Sequence, residues 1–214
     1  MSEYQYYEFQ TVDRRLTAQE QAAINKLSSR VRLTPTQAIF LYNYGDFHHD
    51  PKQVLTKYFD VMLYLANWGT WQLIFRLPKT IVDPQWFQPY ELEHCITVTQ
   101  TSESIILDLQ INEEEGIDGW VEGEGWLSRL LPLRDELLRG DLRLLYLTWL
   151  RVAPAHRYEL EDDPVEPPIP PNLGQLSPAL DAFIDLVEMD PDFVTAAAQG
   201  SPRQQSTAEP PLEN

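Results

Sequence analysis

The order of strand and helix signals in the first 112 residues constrains the fold of this chain more than any other feature. Residues 4–12 alternate loosely and are rich in aromatic side chains, which favours a half-buried strand. Thr17 and Glu20 have the spacing of a capping box, in which each side chain accepts from an otherwise unsatisfied backbone N–H, so a helix is predicted to begin there. Residues 31–44 contain β-branched and aromatic side chains. They predict a second strand, whose early proline places its beginning at an edge or a bend.

A second helix is predicted to start at Asp50, which stands at the N-cap position with Pro51 and Gln53 in the first turn. Beyond this start, apolar side chains recur at three- and four-residue spacing as far as Leu65. The stripe predicts one continuous helix that packs on a sheet. Gly69 is expected to stop it as a left-handed cap.

Three more strands are predicted in this region, at residues 71–77, 94–100 and 104–111, of which the last two form a hairpin. The predicted order is β-α-β-α-β-β-β, which indicates a mixed sheet with two packed helices. Its first strand, helix and strand would suit a ferredoxin-like half. Because helices are predicted for much of the second half of the chain, the fold class is α+β, with a helical C-terminal region after the sheet.

Composition divides the chain into three parts. Residues 1–112 are predicted to form the α/β sheet unit. Residues 113–199 are predicted to form an acidic helical region packed on that unit, with a solvated acidic loop at 113–125 and a proline-rich linker at 158–171. Residues 200–214 contain Pro, Gln, Ser and Glu with almost nothing apolar, so this tail is predicted to be disordered.

The net charge of −17 is concentrated in the later part of the chain. Residues 1–79 carry nine basic and seven acidic side chains, whereas residues 80–214 carry seven basic and 26 acidic ones. Nucleic acid is not predicted as a partner, because phosphate binding needs clustered Lys and Arg. The acidic part either keeps the protein soluble through charge repulsion or presents a face to a basic partner.

A single cysteine, Cys95, excludes an intrachain disulfide and a thiol–metal cluster. No apolar run approaches the roughly 20 residues of a membrane-spanning helix. The N-terminus has neither the basic nor the apolar region of a secretory signal. We therefore expect a cytoplasmic protein that does not associate with a membrane.

The turn that contains Asp46, His48 and His49 carries the side chains best suited to chemistry. Imidazole and carboxylate bind zinc, iron or manganese, and histidine acts as a general base near neutral pH. These three residues are therefore a candidate metal site, and a metal-dependent enzyme is the corresponding function. The alternative is a polar turn, because neighbouring histidines diverge and Asp50 already has a role as a helix cap. No other catalytic or cofactor-binding residue is predicted.

Arginines hold nearly all the positive charge of the acidic half and lie on two helices predicted at about 125–139 and 141–153. They are Arg129, Arg134, Arg139, Arg143 and Arg151. A guanidinium pairs with a carboxylate through two parallel N–H bonds, so this set either pairs internally or forms an anion-binding face. Trp86 and Phe87, in the proline-flanked loop 83–89, are candidates for contact with another protein.

Three segments carry a resemblance to a known family. They are SEYQYYEF at residues 2–9, LYLANWGT at 63–70 and GWLSRLLPLRDELLRGDLR at 125–143. The chain resembles a family of bacterial hypothetical proteins over most of its length up to about residue 200. The family has no assigned activity, fold or ligand, so the resemblance implies a bacterial, cytoplasmic origin and nothing about function.

Three functions are compatible with these patterns. The first is a non-catalytic interaction or regulatory protein that binds another protein through its acidic half and its exposed aromatic side chains. The second is the metal-dependent enzyme centred on Asp46, His48 and His49. The third is a decoy that presents carboxylates in place of DNA phosphates, which requires a continuous acidic stripe on the folded surface.

Overall fold

A seven-stranded antiparallel sheet forms the centre of the protein. The computed structural model describes residues 3–113, 122–156 and 165–202. The strands are β1 (Gln5–Gln10), β2 (Val31–Leu33), β3 (Gln37–Tyr42), β4 (Val61–Ala66), β5 (Thr70–Pro78), β6 (Ile96–Gln100) and β7 (Ser104–Asn112). They lie side by side in the order β2-β3-β1-β4-β5-β7-β6. Helices between and after these strands give the α+β class that the sequence predicts.

Seven α-helices lie within the described residues. They are α1 (Ala18–Asn25), α2 (Pro51–Tyr58), α3 (Trp126–Leu130), α4 (Pro132–Leu138), α5 (Arg143–His156), α6 (Pro178–Leu186) and α7 (Pro191–Gly200). Two single-turn 3-10 helices, Pro84–Trp86 and Gln88–Tyr90, connect β5 to the β6–β7 hairpin. None of the helices that the structure describes is long and apolar enough to cross a membrane.

The sheet is covered on both faces, and each face has its own core. On one face α1 and α2 cover an aromatic core, whose members include Tyr7, Phe9, Phe40, Phe47 and Phe59. On the other face α3 to α7 contribute to a larger, leucine-rich helical core, whose members include Leu127, Leu130, Leu137, Leu145 and Leu180. Successive side chains of β1 alternate between the two, because Tyr6 belongs to the helical core and Tyr7 to the aromatic core.

The strand pairing differs from the expected mixed sheet. All six pairings among the described strands are antiparallel. β3 lies beside β1 in the antiparallel direction, so the first strand, helix and strand do not form the parallel unit of a ferredoxin-like half. The predicted strand at 31–44 is divided into β2 and β3 by the turn that contains Pro35.

β4 occupies residues for which the sequence predicts the end of the second helix. α2 ends at Tyr58, and β4 pairs with β1 and β5 from Val61 onward. Val61 and Leu63 face the helical core while Met62 faces the aromatic core, so no polar position interrupts the run. A strand buried on both faces lacks polar alternation, and its apolar run therefore also satisfies helical spacing. The prediction of one helix as far as Leu65 is wrong for this reason.

An ion pair between a buried arginine and an exposed aspartate joins the helical part of the chain to the loop after β1. Arg134, on α4, is 2% exposed, and its terminal nitrogens donate to the two carboxylate oxygens of Asp13 at 3.1 and 2.7 Å. Gly123 lies against the ring of Tyr6, where a Cβ would come within 2.3 Å of the ring carbons. Both contacts hold the described residues that follow Gly123 on the helical-core face of the sheet.

Three predicted segments fall wholly or partly outside the described residues. Most of the acidic loop at 113–125 and the first part of the proline-rich linker at 158–171 belong to them. So does the tail beyond residue 202, whose predicted disorder stays a prediction. The rest of the linker, from Val165 onward, is described and forms part of the site below.

Candidate functional site

The three predicted metal ligands in the turn before α2 differ in their contacts. The Asp46 carboxylate accepts a hydrogen bond from the Gln5 side-chain amide at 2.7 Å. His48 and His49 are exposed, and the His49 ring meets the edge of Phe47 with 5.6 Å between ring centroids. Within the described ranges, no group of three His, Cys, Asp or Glu side chains is placed to hold a metal ion. The geometry therefore favours the polar turn.

Most of the arginines in the predicted set are engaged inside the molecule. Arg134 pairs with Asp13 as described above. Arg129 pairs with Asp185 at 3.0 Å on the surface and stacks over Trp126. Arg151, the fifth member, donates to Glu113 and to the main-chain oxygen of Val187. These guanidinium groups fix helices to one another and to the sheet.

Arg143 is held by the most partners of the set. It donates to both carboxylate oxygens of Asp141, at distances of 2.6 to 3.1 Å. It also donates to the main-chain oxygens of Asn172 and Gln175, at 3.2 and 2.7 Å. The hydrogen bond and charge of Asp141 raise the pKa of Arg143. This arginine therefore ties the start of α5 to the segment before α6.

Arg139 differs from the other four. Its side chain is exposed at the C-terminal end of α4, and that side chain makes no hydrogen bond or ion pair with any other residue in the described part of the chain. Arg139 lines a cleft of about 460 Å³, which we call the Arg139 cleft. The residues that line the cleft are Tyr90, Arg139, Gly140, Asp141, Leu142, Arg143, Pro168, Ile169, Pro170, Pro171 and Asn172.

The turn between α4 and α5 shapes one side of the Arg139 cleft. Gly140 adopts φ +79°, a left-handed conformation that favours glycine after the last turn of a helix. The indole of Trp86 lies above this glycine, 3.6 Å from the position that a Cβ would take. Trp86 is 38% exposed beside the cleft. Two of the residues predicted for partner contact, Trp86 and Arg139, are therefore brought together here.

Phe87 does not share the position of Trp86. Its side chain is fully buried in the helical core, because the loop at 83–89 folds into the two 3-10 helices, which turn Phe87 and Tyr90, three residues apart, inward. Asp83 caps the first of these turns by accepting from the Gln85 N–H at 2.9 Å. The expectation that Phe87 contacts a partner is therefore replaced by a role in packing.

The proline-rich segment forms the opposite wall of the Arg139 cleft. The Tyr90 hydroxyl donates to the main-chain oxygen of Pro168 at 2.8 Å, and the Tyr146 hydroxyl donates to Glu166 at 2.6 Å. Burial raises the pKa of Tyr90 to about 12, so this hydroxyl keeps its proton at neutral pH. Ser201 donates to the main-chain oxygen of Pro170 at 2.7 Å. Hydrogen bonds from the second 3-10 helix, from α5 and from the residue after α7 therefore hold this wall in place.

This wall has little direct signal in the sequence. The stretch at 158–171 is predicted to be a linker because its prolines exclude a regular helix. A contrary signal is the apolar Ile169 among the prolines, although Tyr158, Leu160 and Val165 in the same stretch are also apolar. Ile169 packs against the helical core and also lines the cleft.

The chemistry that the Arg139 cleft offers is binding. Among its lining groups, the Asp141 carboxylate is occupied by Arg143 and the Tyr90 hydroxyl by Pro168. The Arg139 guanidinium has no partner in the described part of the chain, and it does not act as a base or a nucleophile at neutral pH. No protein-family model matches the chain, and neither a curated protein sequence nor a solved structure matches it. The geometry of the cleft is therefore the basis for a functional proposal.

Proposed function

We propose that this protein is a non-catalytic binding protein that holds a segment of another protein in the Arg139 cleft. The observation that carries the proposal is the exposed Trp86 beside an arginine without a partner in the described structure, at the mouth of a walled cleft. Tryptophan and arginine are the residues most enriched at the energetic centres of protein interfaces. The other arginines of the set, by contrast, have internal partners.

The cleft favours a partner segment with a carboxylate beside an apolar side chain. The Arg139 guanidinium can donate two parallel hydrogen bonds to a carboxylate. Ile169 in the lining and Trp86 beside Gly140 offer apolar surface. The net charge of −17 repels strongly acidic chains, so a single carboxylate within a neutral or basic segment fits best.

The acidic-decoy hypothesis receives less support from the described surface. Exposed carboxylates occur on α6 and α7, but Asp185 pairs with Arg129 and Asp190 caps α7. These two carboxylates have structural roles and are not free to stand in for phosphates. A cytoplasmic setting remains part of our proposal, and the buried, single Cys95 is compatible with it.

A pull-down with matched variants tests the proposed function. Tagged full-length protein, Trp86→Ala and Arg139→Ala would be used as baits in a bacterial lysate at moderate salt. Trp68→Ala and Arg15→Ala are the controls, because Trp68 is also exposed and Arg15 is an exposed arginine outside the cleft. We expect one partner to be retained by the wild type and both controls and to be lost from the two cleft variants.

The strength of partner binding gives a second test. Calorimetry with the purified binding segment of the retained partner should show at least about tenfold weaker binding to Arg139→Ala, since a charge-assisted hydrogen bond contributes about 1.5 to 3 kcal/mol. Capture of the same proteins by all five baits, or of none by the wild type, would contradict the proposal.

A further inference from the structure

A second cavity lies on the opposite face of the sheet from the Arg139 cleft. It has a volume of about 310 Å³ and is bounded by α2 and by the β6–β7 hairpin. We call it the Lys52 cavity. Its lining residues are Lys52, Gln53, Thr56, Lys57, Thr99, Thr101, Ile106 and Asp108. Ile106 belongs to the aromatic core, which places the cavity at the edge of that core.

A buried carboxylate at the floor of the Lys52 cavity sets the position of one lysine. Asp108, on β7, is 5% exposed and accepts two hydrogen bonds from the Gln72 side-chain amide, at 2.9 and 3.1 Å. The Lys52 ammonium lies 2.6 Å from the same carboxylate. An ammonium group has three donors, so Lys52 is anchored by one and keeps others for a ligand.

The donors that remain available around the cavity come mainly from its two lysines, Lys52 and Lys57. Lys52 and Lys57 lie five residues apart on α2, about 140° around the helix axis, and both are exposed and line the cavity. The Lys57 ammonium also lies 5.0 Å from the centre of the Tyr58 ring. The hydroxyls of Thr56 and Thr101 donate to main-chain oxygens within their own segments, Lys52 and Ser104 respectively. Two ammonium groups and one carboxylate leave the lining with one uncompensated positive charge.

We propose that the Lys52 cavity binds a small monocarboxylate with an apolar body. Its carboxylate would lie between the ammonium groups of Lys52 and Lys57, and its apolar part would lie on Ile106 and the threonine methyl groups. A single negative charge matches the excess of one positive charge, whereas the overall charge of −17 disfavours anions of higher charge. An amine does not fit, because the only carboxylate of the lining is occupied by Lys52 and Gln72.

The probe for this site is hexanoate, titrated into the full-length protein and followed by amide chemical shifts and calorimetry. We expect saturable binding with shifts confined to α2, β6 and the floor of β7. Hexanol, which has the same body without the charge, should bind at least about tenfold more weakly. Hexylamine and inorganic phosphate should not compete with hexanoate.

Two variants test the cavity without removing a buried charge. Lys57→Ala removes an exposed ammonium group, and Thr99→Trp fills the cavity from an exposed position on the edge strand β6. Each should weaken hexanoate binding by about tenfold or more, while Lys26→Ala, an exposed lysine after α1, should leave it unchanged. Absence of saturable binding, equal binding of hexanol or phosphate, or binding that survives both variants would overturn the proposal. The Arg139 cleft shares no residue with this cavity, so neither result depends on the other.

Discussion

The two faces of the sheet are covered in different ways. The aromatic core is closed by two short helices that lie between strands in the chain, whereas the helical core is closed by helices that follow the last strand. Both faces nevertheless use the same strands, and β1 sends Tyr6 to one core and Tyr7 to the other. A defect on one face should therefore be transmitted to the other face through the shared strands. We expect the two cores to unfold as one cooperative unit for this reason.

The largest effect that tests this coupling is expected from Phe9→Ala. Phe9 is fully buried in the aromatic core, and loss of a buried phenylalanine side chain costs about 3 to 5 kcal/mol. Tryptophan fluorescence reports mainly on the other face, because Trp71 and Trp149 belong to the helical core. Urea unfolding followed by this signal should therefore show a large decrease in midpoint.

An independent response of the two faces would contradict this expectation. Hydrogen exchange of Phe9→Ala would then show lost protection in α1 and α2 while the tryptophan signal kept its wild-type midpoint. The matched variant on the other face is Leu145→Ala, which removes a fully buried leucine side chain from α5. It should lower the free energy of unfolding by about 2 to 5 kcal/mol, measured with the same signal.

A smaller effect is expected at the ion pair that joins α4 to the loop after β1. Within the described residues, Asp13→Ala leaves the buried Arg134 guanidinium with one long hydrogen bond, to the main-chain oxygen of Arg76, and should destabilise the fold by about 1 to 3 kcal/mol. Arg134→Met removes the buried charge itself and replaces it with an apolar side chain. It should therefore cost less than Asp13→Ala in chemical denaturation. Equal losses would show that the pair contributes through attraction alone.

Glu8, which faces the helical core from β1, is expected to contribute to the pH dependence of the unfolding free energy. Burial raises the pKa of Glu8, although hydrogen bonds from Tyr6 and Gln37 act in the opposite direction. The folded state thus holds this proton more tightly than the unfolded chain does. The resulting stability is complete below the unfolded pKa, near 4.5, and is lost as the pH rises through the raised folded value.

Glu8→Gln should accordingly reduce the loss of unfolding free energy as the pH rises above about 4.5. The control is Glu20→Gln on the aromatic-core side, where the hydrogen bond from Arg14 lowers the pKa of Glu20 to about 2. The stability from Glu20 is present above pH 4.5 and is lost as the pH falls toward 2. Glu20→Gln should therefore change the slope of unfolding free energy against pH only on the acid side. Identical pH profiles for wild type and Glu8→Gln would contradict the assignment.

The smallest effect is expected at the start of α1. Thr17 accepts from the Glu20 N–H at 3.2 Å, and Glu20 accepts from the Thr17 N–H at 2.8 Å. Thr17→Ala should cost about 1 kcal/mol, because one helix-start donor loses its partner. The loss should leave the helical core unaffected, so hydrogen exchange should change in α1 and not in α5. The conservative variant Thr17→Ser keeps the capping hydroxyl and should therefore retain a stability close to that of the wild type.

The parts of the fold that follow from local hydrogen bonds could be predicted from the sequence. Thr17 and Asp50 cap the helices that their patterns predict, and the β6–β7 hairpin lies where the sequence places it. The strand at Val61 could not be predicted, because burial on both faces removes the alternation by which a strand is recognised. The antiparallel pairing could not be predicted either, because it depends on which strands become neighbours in space.

The candidate site could be predicted only in its parts. Arg139 and Trp86 stand out in the sequence for their chemistry, but their proximity arises from the turn at Gly140. The sequence could not separate Arg139 from Arg134, because the partner of Arg134 lies 121 residues away along the chain. For the same reason nothing in the sequence joins Lys52 to Asp108 across the Lys52 cavity.

The single cysteine gives this fold a native reporter of its own fluctuations. Cys95 is 2% exposed and immediately precedes the edge strand β6. A thiol reagent can react with it only when that edge separates from the helical core, so the rate of labelling measures how often the opening occurs. Because the same edge strand borders the Lys52 cavity, a ligand that closes the cavity should slow the labelling. The rate of Cys95 labelling can therefore report occupancy without an engineered labelling site.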